Sequence, residues 1–400
     1  MATVKELGHQ FCGDLPDLTL HDGGAHILEF EICDSDWIAV DSFRETYYVE
    51  SYIPPNDFCK VKDIGKVIKP YLEPMPLEED FLFSSCEDSY YNLSVNVRIM
   101  HYNEGDIGGE PSEEYRLTAH YSDVRTNRNG RQHKHLPHFG FLSRYNWKER
   151  LIGVRQTVFV SFLHRSIHSR FYLGIAYMQD GKACYREVDV RLPDCDYYNH
   201  SLYAFDAEAV KYKLKMAFPE CSSVTEEDLI YFSVNLMATE PEIESPVGYI
   251  KYVFDRRHFP QEKHLLFYNA FGVWETLELK GRDERSTQME GTYAWIDNKY
   301  LKNTTELVTS HAHNTGYLSE VDHETLLDLA NSSHVYLYDG GIIEDEITIT
   351  ELEDTVSYPR QEPMNAKITY RVADEQRKLK FQYYDDAVDV FDKTFDRSFE

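Results

Sequence analysis

The stretch His264–Gly281, HLLFYNAFGVWETLELKG, is the clearest structural signal in the chain. Its first half places four apolar or aromatic residues, Leu265–Tyr268, in a row, and its second half resumes an extended apolar pattern over Val273–Leu279. Asn269 and Gly272, which lie between the halves, suit the backbone conformations of a tight turn. Aromatic and β-branched residues favour a half-buried sheet. The stretch therefore predicts a β-hairpin, and taken alone it says nothing about function.

Alternation of apolar and polar residues predicts strands along much of the remaining chain. The cleanest example is Leu93–Ile99, which has four aliphatic residues on one face, and Tyr115–Tyr121 is a candidate partner strand. Strands at a spacing of about 8–12 residues, with turn signals between them, are typical of a β-sandwich. Further predicted strands lie within 26–53 and at Gln156–Leu163, Arg170–Tyr177, Tyr185–Leu192, Leu229–Met237, Thr292–Trp295, Val335–Tyr338, Ile347–Ile349 and Lys367–Val372.

The predicted helices are few and short. Asp63 is a candidate cap for a helix that Pro70 ends, and Asp322 is a candidate cap for a helix over Asp322–Ala330. The segment Ala209–Ala217 is ambiguous, because its three lysines alternate with apolar residues. Strict alternation favours a strand there, and a helix is the alternative.

The chain has 400 residues. Because single hydrophobic cores stop growing near roughly 250 residues, two or three domains are expected. The run 123–138 is polar, basic and broken by Gly130 and Pro137, so it marks a linker or a long exposed loop. We predict a mainly β protein with two to three β-sandwich or β-barrel-like domains and a few short helices. Its predicted parts are an N-terminal β-rich domain with one short helix (1–126), a middle β-sandwich domain (139–257), a C-terminal β-rich domain (258–384) and an acidic tail or arm (385–400).

The net charge argues against two classes of partner. With 41 basic and 69 acidic residues, the formal charge is −28, which repels phosphate backbones and anionic lipid surfaces. We therefore expect neither direct nucleic-acid binding nor membrane binding. The chain has no apolar stretch approaching about 18 residues and no signal-peptide pattern. Its seven cysteines, without a CxxC pair, fit reduced thiols in a protein made in the cytoplasm.

Candidate metal-binding and catalytic residues lack the spacing that their chemistry needs. Two histidine clusters are expected in loops without acidic or thiolate partners, and His164 and His168 lack the glutamate of an HExxH motif. Adjacent carboxylates give no defined cleft geometry, and the glycines form no nucleotide-binding motif. We predict no catalytic, cofactor-binding or metal-binding residue and no enzymatic activity. The clusters and acidic runs are His133, His135 and His138; His311 and His313; and Glu78-Glu79, Glu113-Glu114, Glu226-Glu227 and Glu344-Asp345-Glu346.

Three stretches together resemble tail proteins of bacteriophages that infect gut Bacteroides and related bacteria. The first is YVESYIPPNDFCKVKDIGKVIKPYL, similar to that family's Y-x-P-x-x-x-G-x-V-x-I-x-D-L opening, although Cys59 stands where glycine is usual. The hairpin stretch HLLFYNAFGVWETLELKG is similar to the recurrent L-L-F-x-N-x-F-G-x-x-E-T-x-x-x-x-G pattern. The third is LLDLANSSHVYLYD followed by ITITELEDTVSYP, which is similar to a helix, a strand and a pIxITdxe ending. In order, these blocks span most of the chain.

The resemblance implies a structural protein of the virion tail, at the distal tail or baseplate, or in a ring or adaptor that joins tail parts. The implied partners are copies of itself in a ring and other virion tail proteins, and the implied location is the virion tail after synthesis in the host cytoplasm. The alternative is a carbohydrate-binding or host-adhesion module of a tail, in which exposed tyrosine and tryptophan stack on a host glycan. A glycan-cleaving tail enzyme is a third, weaker hypothesis.

Overall fold

The computed structural model of the protein describes residues 3–15, 17–21, 24–34, 36–49, 58–72, 74–75, 94–103, 109, 111–123, 140–164, 169–192, 199–240, 243–296, 299–339, 342–355 and 365–373. Within these residues the fold is mainly β, as the sequence predicts, with five sheets and three short α-helices. Most of the predicted linker or loop at 123–138 and all of the tail or arm at 385–400 lie outside the described residues. The predicted domain divisions stay predictions.

The first sheet has five strands in the order β1-β7-β6-β3-β4. Its elements, with those that cover it, are β1 (Thr3–Phe11), β2 (Leu18–His21), β3 (Gly24–Cys33), β4 (Ala39–Val49), β5 (Phe58–Val61), α1 (Ile64–Ile68), β6 (Ser94–Asn103) and β7 (Glu113–His120). The antiparallel pairing of β6 with β7 confirms the partnership predicted for Leu93–Ile99 and Tyr115–Tyr121. Helix α1 ends before Pro70, as predicted. Its Ile68 packs with Phe30 and Leu117 in the core of this sheet.

The middle sheet also has five strands, in the order β11-β10-β13-β14-β8, and a separate β9-β12 pair packs with it. The elements are β8 (Lys148–Gly153), β9 (Val158–His164), β10 (Ser169–Gln179), β11 (Lys182–Val190), β12 (Asn199–Phe205), α2 (Ala207–Ala217), β13 (Leu229–Glu240) and β14 (Ile243–Asp255). Phe162 and Tyr203 from the pair contact Phe171 of the sheet, with ring centroids 5.0 Å apart in both cases. The two layers therefore share one aromatic core.

The third sheet has seven strands in the order β16-β15-β19-β20-β21-β18-β17. Its elements are β15 (Lys263–Tyr268), β16 (Trp274–Leu279), β17 (Asp283–Ile296), β18 (Lys299–Asn314), α3 (Glu320–Asn331), β19 (Val335–Asp339), β20 (Ile342–Thr355) and β21 (Asn365–Val372). Leu326 and Leu329 of α3 pack on Leu265 and Phe267 of β15. The helix thus covers one face of the sheet beside the hairpin.

The strand predicted at Ala209–Ala217 is wrong, because this segment is helix α2. The Asp206 carboxylate caps the helix by accepting a hydrogen bond from the Ala209 N–H at 2.7 Å. Val210 and Leu214 are buried on one helical face together with Ala207. The apolar residues that alternate with lysine also satisfy helical spacing, and the cap decides between the two periods.

Two predicted helix caps are also wrong. Asp63 lies at the N-cap position of α1, but it has a left-handed φ of 57° and forms no capping hydrogen bond with its side chain. It pairs with Lys66 at 3.1 Å instead. The cap of α3 is Ser319, and Asp322 lies three residues inside, where its carboxylate accepts the Ser319 N–H at 2.9 Å. The pair forms a capping box, which starts the helix earlier than predicted.

Candidate functional site

The hairpin of β15 and β16 forms as the sequence predicts, with Tyr268 opposite Trp274 beside the turn. Within the turn, the Asn269 side-chain oxygen accepts a hydrogen bond from the Phe271 N–H at 2.9 Å. Gly272 has a φ of 68°, in the left-handed region that glycine adopts without strain. The two residues that the sequence marked as turn formers therefore shape the turn.

The hairpin turn joins the third sheet to the first part of the chain. The Met75 N–H donates to the Gly272 carbonyl at 2.9 Å, and the Asp123 N–H donates to the Ala270 carbonyl at 2.7 Å. The Tyr268 hydroxyl donates to the Met75 carbonyl at 2.6 Å. Two of the three bonds join main-chain groups and depend on the backbone shape of the turn, and the third depends on the Tyr268 side chain.

Replacing Gly272 with alanine is expected to lower the free energy of unfolding by roughly 2–4 kcal/mol. The added Cβ would lie 2.6 Å from Cδ1 of Tyr121, and φ would stay at 68°. Gly181→Ala is the matched control, because its φ is 73° and nothing lies within 4 Å of its Cβ position. Urea unfolding should give a cost of about 1 kcal/mol for the control. Equal costs for the two variants would show that the contact with Tyr121 has no energetic weight.

The same hairpin binds the middle region through polar side chains. The Asn269 amide donates to the Leu142 carbonyl at 2.9 Å. The Thr276 hydroxyl donates to the Thr157 carbonyl at 2.7 Å and accepts from the Gln156 amide at 3.2 Å. One contact comes from the turn and two come from the middle of β16. They fix its orientation against the middle region.

An ion pair between Arg150 and Glu275 lies at the centre of this contact. Both side chains are almost fully buried, and their closest atoms, Nη1 and Oε1, are 2.5 Å apart. The other carboxylate oxygen accepts hydrogen bonds from Ser143 at 3.1 Å and Asn269 at 3.3 Å. Arg150 also donates to the Thr276 carbonyl. The carboxylate and the guanidinium are therefore both satisfied within the protein.

Burial and the neighbouring groups shift the pKa values of this pair in opposite directions. Burial raises the pKa of Glu275, and Arg150 with the two hydrogen-bond donors offsets part of that effect. Burial opposes the charge of Arg150, but Tyr145 and Glu275 hold its pKa above the ordinary value. The Tyr145 ring lies 4.2 Å below the guanidinium carbon of Arg150, in a cation–π contact. Arg150 is thus a fixed buried cation, and Glu275 is its counter-ion.

An apolar cluster completes the joint between the three sheets. Trp274 stacks on Tyr268 with centroids 3.9 Å apart, and Phe11 of β1 meets Phe271 of the turn edge-on at 5.7 Å. All three parts of the chain supply buried members. We call the site the junction; its apolar members are Phe11, Met75, Leu142, Phe159, Leu163, Leu202, Leu266, Phe271, Val273, Trp274 and Tyr338.

Helix α3 gives the middle region a second anchor. The Arg144 guanidinium makes two hydrogen bonds to the Asp328 carboxylate, at 2.6 and 2.7 Å. The Tyr145 hydroxyl donates to Asp322 at 2.6 Å. Paired bonds between arginine and a carboxylate fix direction as well as distance. The hairpin and α3 therefore hold the middle region from two sides.

The histidines singled out in the sequence do not meet at the junction as a set. His311 and His313 were expected in a loop, but both lie in β18, so that prediction is wrong. Extended pairing with β17 continues through both residues. His311 lies 3.3 Å from Asp283, and His313 lies 3.0 Å from the Gly281 carbonyl. His133, His135, His138 and His168 lie outside the described residues, whereas His164 ends β9.

The acidic runs are spread over separate elements. Glu113 and Glu114 lie in β7, Glu226 and Glu227 in a turn of 3₁₀ helix, and 344–346 in β20. Glu78 and Glu79 lie outside the described residues. Over the part of the chain that the structure describes, no three His, Cys, Asp or Glu side chains are grouped to hold a metal ion. In the same residues, no helix has the length and apolar character to cross a membrane.

A cleft of about 190 Å³ lies beside the junction, between the middle region and the third sheet. Tyr317, which is 71% exposed, lines it together with Glu149, Gln156 and Glu278. Burial raises the pKa of Glu278, and Lys280 at 3.1 Å offsets part of that effect. Sequence analysis missed this cleft, because its lining comes from three separate segments that only the fold brings together.

The arrangement of the junction is that of a structural joint. Its polar side chains, Asn269, Glu275, Thr276 and Arg150, are each engaged with another part of the same chain. Such contacts fix the relative orientation of three sheets.

No family model matches the chain, and no curated protein matches it.

Proposed function

We propose that this protein is a non-enzymatic structural component of a bacteriophage tail, at the distal tail or baseplate or in a ring or adaptor. One observation carries the proposal. The hairpin pattern that resembles those tail proteins includes Asn269, Gly272, Glu275 and Thr276, and each of these residues contacts another part of the chain at the junction. A motif whose residues fix the parts of one chain to each other suits a structural protein.

A long β-ribbon also supports assembly. β17 and β18 are 14 and 16 residues long, and among the described residues only 311–314 of β18 pair with β21. The rest is a two-stranded ribbon, and its described side chains from Glu284 to Met289 are exposed. Two strands alone are marginally stable in water, so such a ribbon is suited to receive a strand or a surface from a neighbour.

The charge of the chain fits a tail location. Fixed negative charge on the lining of a tail channel repels DNA phosphates, so DNA slides without sticking. The formal charge of −28 supplies that repulsion if acidic side chains face the lumen. A basic lumen in the assembled particle would count against this part of the proposal.

Shortening the ribbon is expected to abolish assembly without unfolding the chain. In this variant, residues 287–309 are replaced by an Asn-Gly turn between Ser286 and Ser310. These two residues are opposite each other in the register, so a two-residue turn can connect them. At micromolar concentration, the full chain should sediment as a discrete oligomer that dissociates on dilution. The shortened chain should sediment as a monomer with a melting temperature close to that of the full chain. A monomeric full chain at every concentration would contradict the proposal.

A second candidate is a carbohydrate-binding or host-adhesion module of a tail. The cleft beside the junction favours it, because exposed Tyr317 and the carboxylate of Glu149 are groups that stack on and hydrogen-bond to sugars. A glycan array probed with the full chain tests it. Binding that Tyr317→Ala removes and Tyr212→Ala keeps would support this function; Tyr212 is an exposed tyrosine on α2.

A further inference from the structure

Three histidines form a continuous row from the first sheet to the β9-β12 pair. His9 of β1 and His120 of β7 stack, with Nδ1 of His9 3.0 Å from Nε2 of His120. The other nitrogen of His120, Nδ1, lies 3.4 Å from Nε2 of His200 in β12. His164 of β9 acts on His200 electrostatically, but the strand register places its side chain on the other face of the β9-β12 pair, where it meets the Ser201 hydroxyl at 2.7 Å. We call His9, His120 and His200 the histidine row.

The row crosses from one part of the chain to another. His9 and His120 belong to the first sheet, whereas His200 belongs to the pair that packs on the middle sheet. Phe11, a member of the junction, lies 5.9 Å from the His120 ring. The contact between His120 and His200 is therefore part of the joint between the first sheet and the rest of the chain.

A nitrogen-to-nitrogen contact holds only when one proton lies between the two rings. Neutral rings satisfy this requirement at both contacts, since one ring donates and the next accepts; Nδ1 of His200 has no hydrogen-bond partner among the described residues. If two neighbouring rings are protonated, N–H groups face each other and two positive charges lie side by side. Acid therefore turns an attractive contact into a repulsive one.

Within the part of the chain that the structure describes, the groups that act on His120 and His200 besides burial are other histidines, which disfavour positive charge. They are His200 and His9 for His120, and His164 for His200. The ring of Phe162 flanks His164 at 5.7 Å. Burial, with the neighbouring histidines where present, lowers the pKa of His9 and His120, lowers that of His164 to about 4 and lowers that of His200 to about 3.

We propose that the histidine row is a proton-operated latch, which holds the first sheet against the β9-β12 pair at neutral pH and releases it in acid. The proposal does not depend on the proposed function. Protons are the ligand, and His120 and His200 are the groups that bind them when the latch opens.

The direction of the effect follows from proton linkage. Exposed histidines have a pKa near about 6.5, so the open state binds more protons than the closed state below that pH. The contribution of the row to closure is complete above about pH 6.5 and is lost as the pH falls toward the lowered values. For His120 and His200 together, the opening constant should rise about a hundredfold per pH unit below about pH 6.

Small-angle X-ray scattering of the full chain, titrated from pH 7.5 to pH 4 at constant ionic strength, tests the proposal. We expect the radius of gyration to increase in acid while far-ultraviolet circular dichroism keeps its β signal. The dependence of opening on pH should correspond to uptake of two protons or more. A radius that stays constant, or uptake of fewer than one proton, would overturn the latch.

The double variant H120Q/H200Q separates the row from general acid sensitivity. Opening of this variant should take up about two protons fewer than opening of the unaltered chain, whatever the stability of the variant at neutral pH. The matched control is H258Q/H334Q, which changes two exposed histidines outside the row and should open as the unaltered chain does. If opening depends on pH equally steeply in the double variant and in the control, other groups cause the effect and the proposal is refuted.

Discussion

Arg150→Ala is expected to lower the free energy of unfolding by about 3–5 kcal/mol. The change leaves Glu275 buried without its counter-ion, and it also removes a donor to the Thr276 carbonyl. Since Arg150 lowers the pKa of Glu275, its removal should raise that pKa further. Urea unfolding at neutral pH measures the loss. It would be a large fraction of the roughly 5–15 kcal/mol that stabilises an ordinary domain.

The control for this prediction is Lys251→Ala, which breaks an ion pair with Glu149 at 2.8 Å on the surface. Exposed pairs contribute about 0–1 kcal/mol, so this variant should unfold almost as the unaltered chain does. Replacing both buried partners, as in R150M/E275L, should recover part of the loss, because no charge is then left unpaired. If Arg150→Ala costs no more than Lys251→Ala, the buried pair does not hold the junction.

Trp274→Ala is the second large expected loss, again about 3–5 kcal/mol. The Trp274 ring is 2% exposed and stacks on Tyr268, and Tyr336 meets it edge-on at 6.1 Å. Its removal leaves a cavity between the third sheet and the rest of the junction, which the surrounding rings can fill only in part. Thermal unfolding followed by circular dichroism should show a clear fall in melting temperature.

Trp147→Ala is the matched control, because Trp147 is 55% exposed. Surface substitutions usually change stability by less than about 0.5 kcal/mol, so its melting temperature should change little. Trp147 lies 6.5 Å from Tyr249, a looser contact than the one between Trp274 and Tyr268. An unchanged melting temperature for Trp274→Ala would contradict the packing described for the junction.

What the sequence predicts well is local. The hairpin over 264–281 is encoded by adjacent residues, and so is the alternation that marks β6. Helix α2 was missed because its lysines produce a period of two, and the signal that could have corrected this is Asp206 at the cap. The length of the segment Ala209–Ala217 did not distinguish a strand from a helix.

The junction could not be predicted, because its partners are distant in the chain. Arg150 and Glu275 are 125 residues apart, and His9 and His120 are 111 residues apart. Arg150 is buried in the short strand KERLIG while its neighbour Leu151 is exposed, so nothing local marks the arginine as buried. His9, His120 and His200 are each isolated in sequence, and only the packing of the first sheet against the β9-β12 pair brings them into a row.

The assembly state of the purified chain provides the most direct test of a structural role in a tail. Electron microscopy of the full chain at micromolar concentration should show closed, symmetric particles, with the ribbon of β17 and β18 at the contact between neighbouring copies. Isolated single copies at every concentration, together with turnover of a glycan substrate, would contradict it.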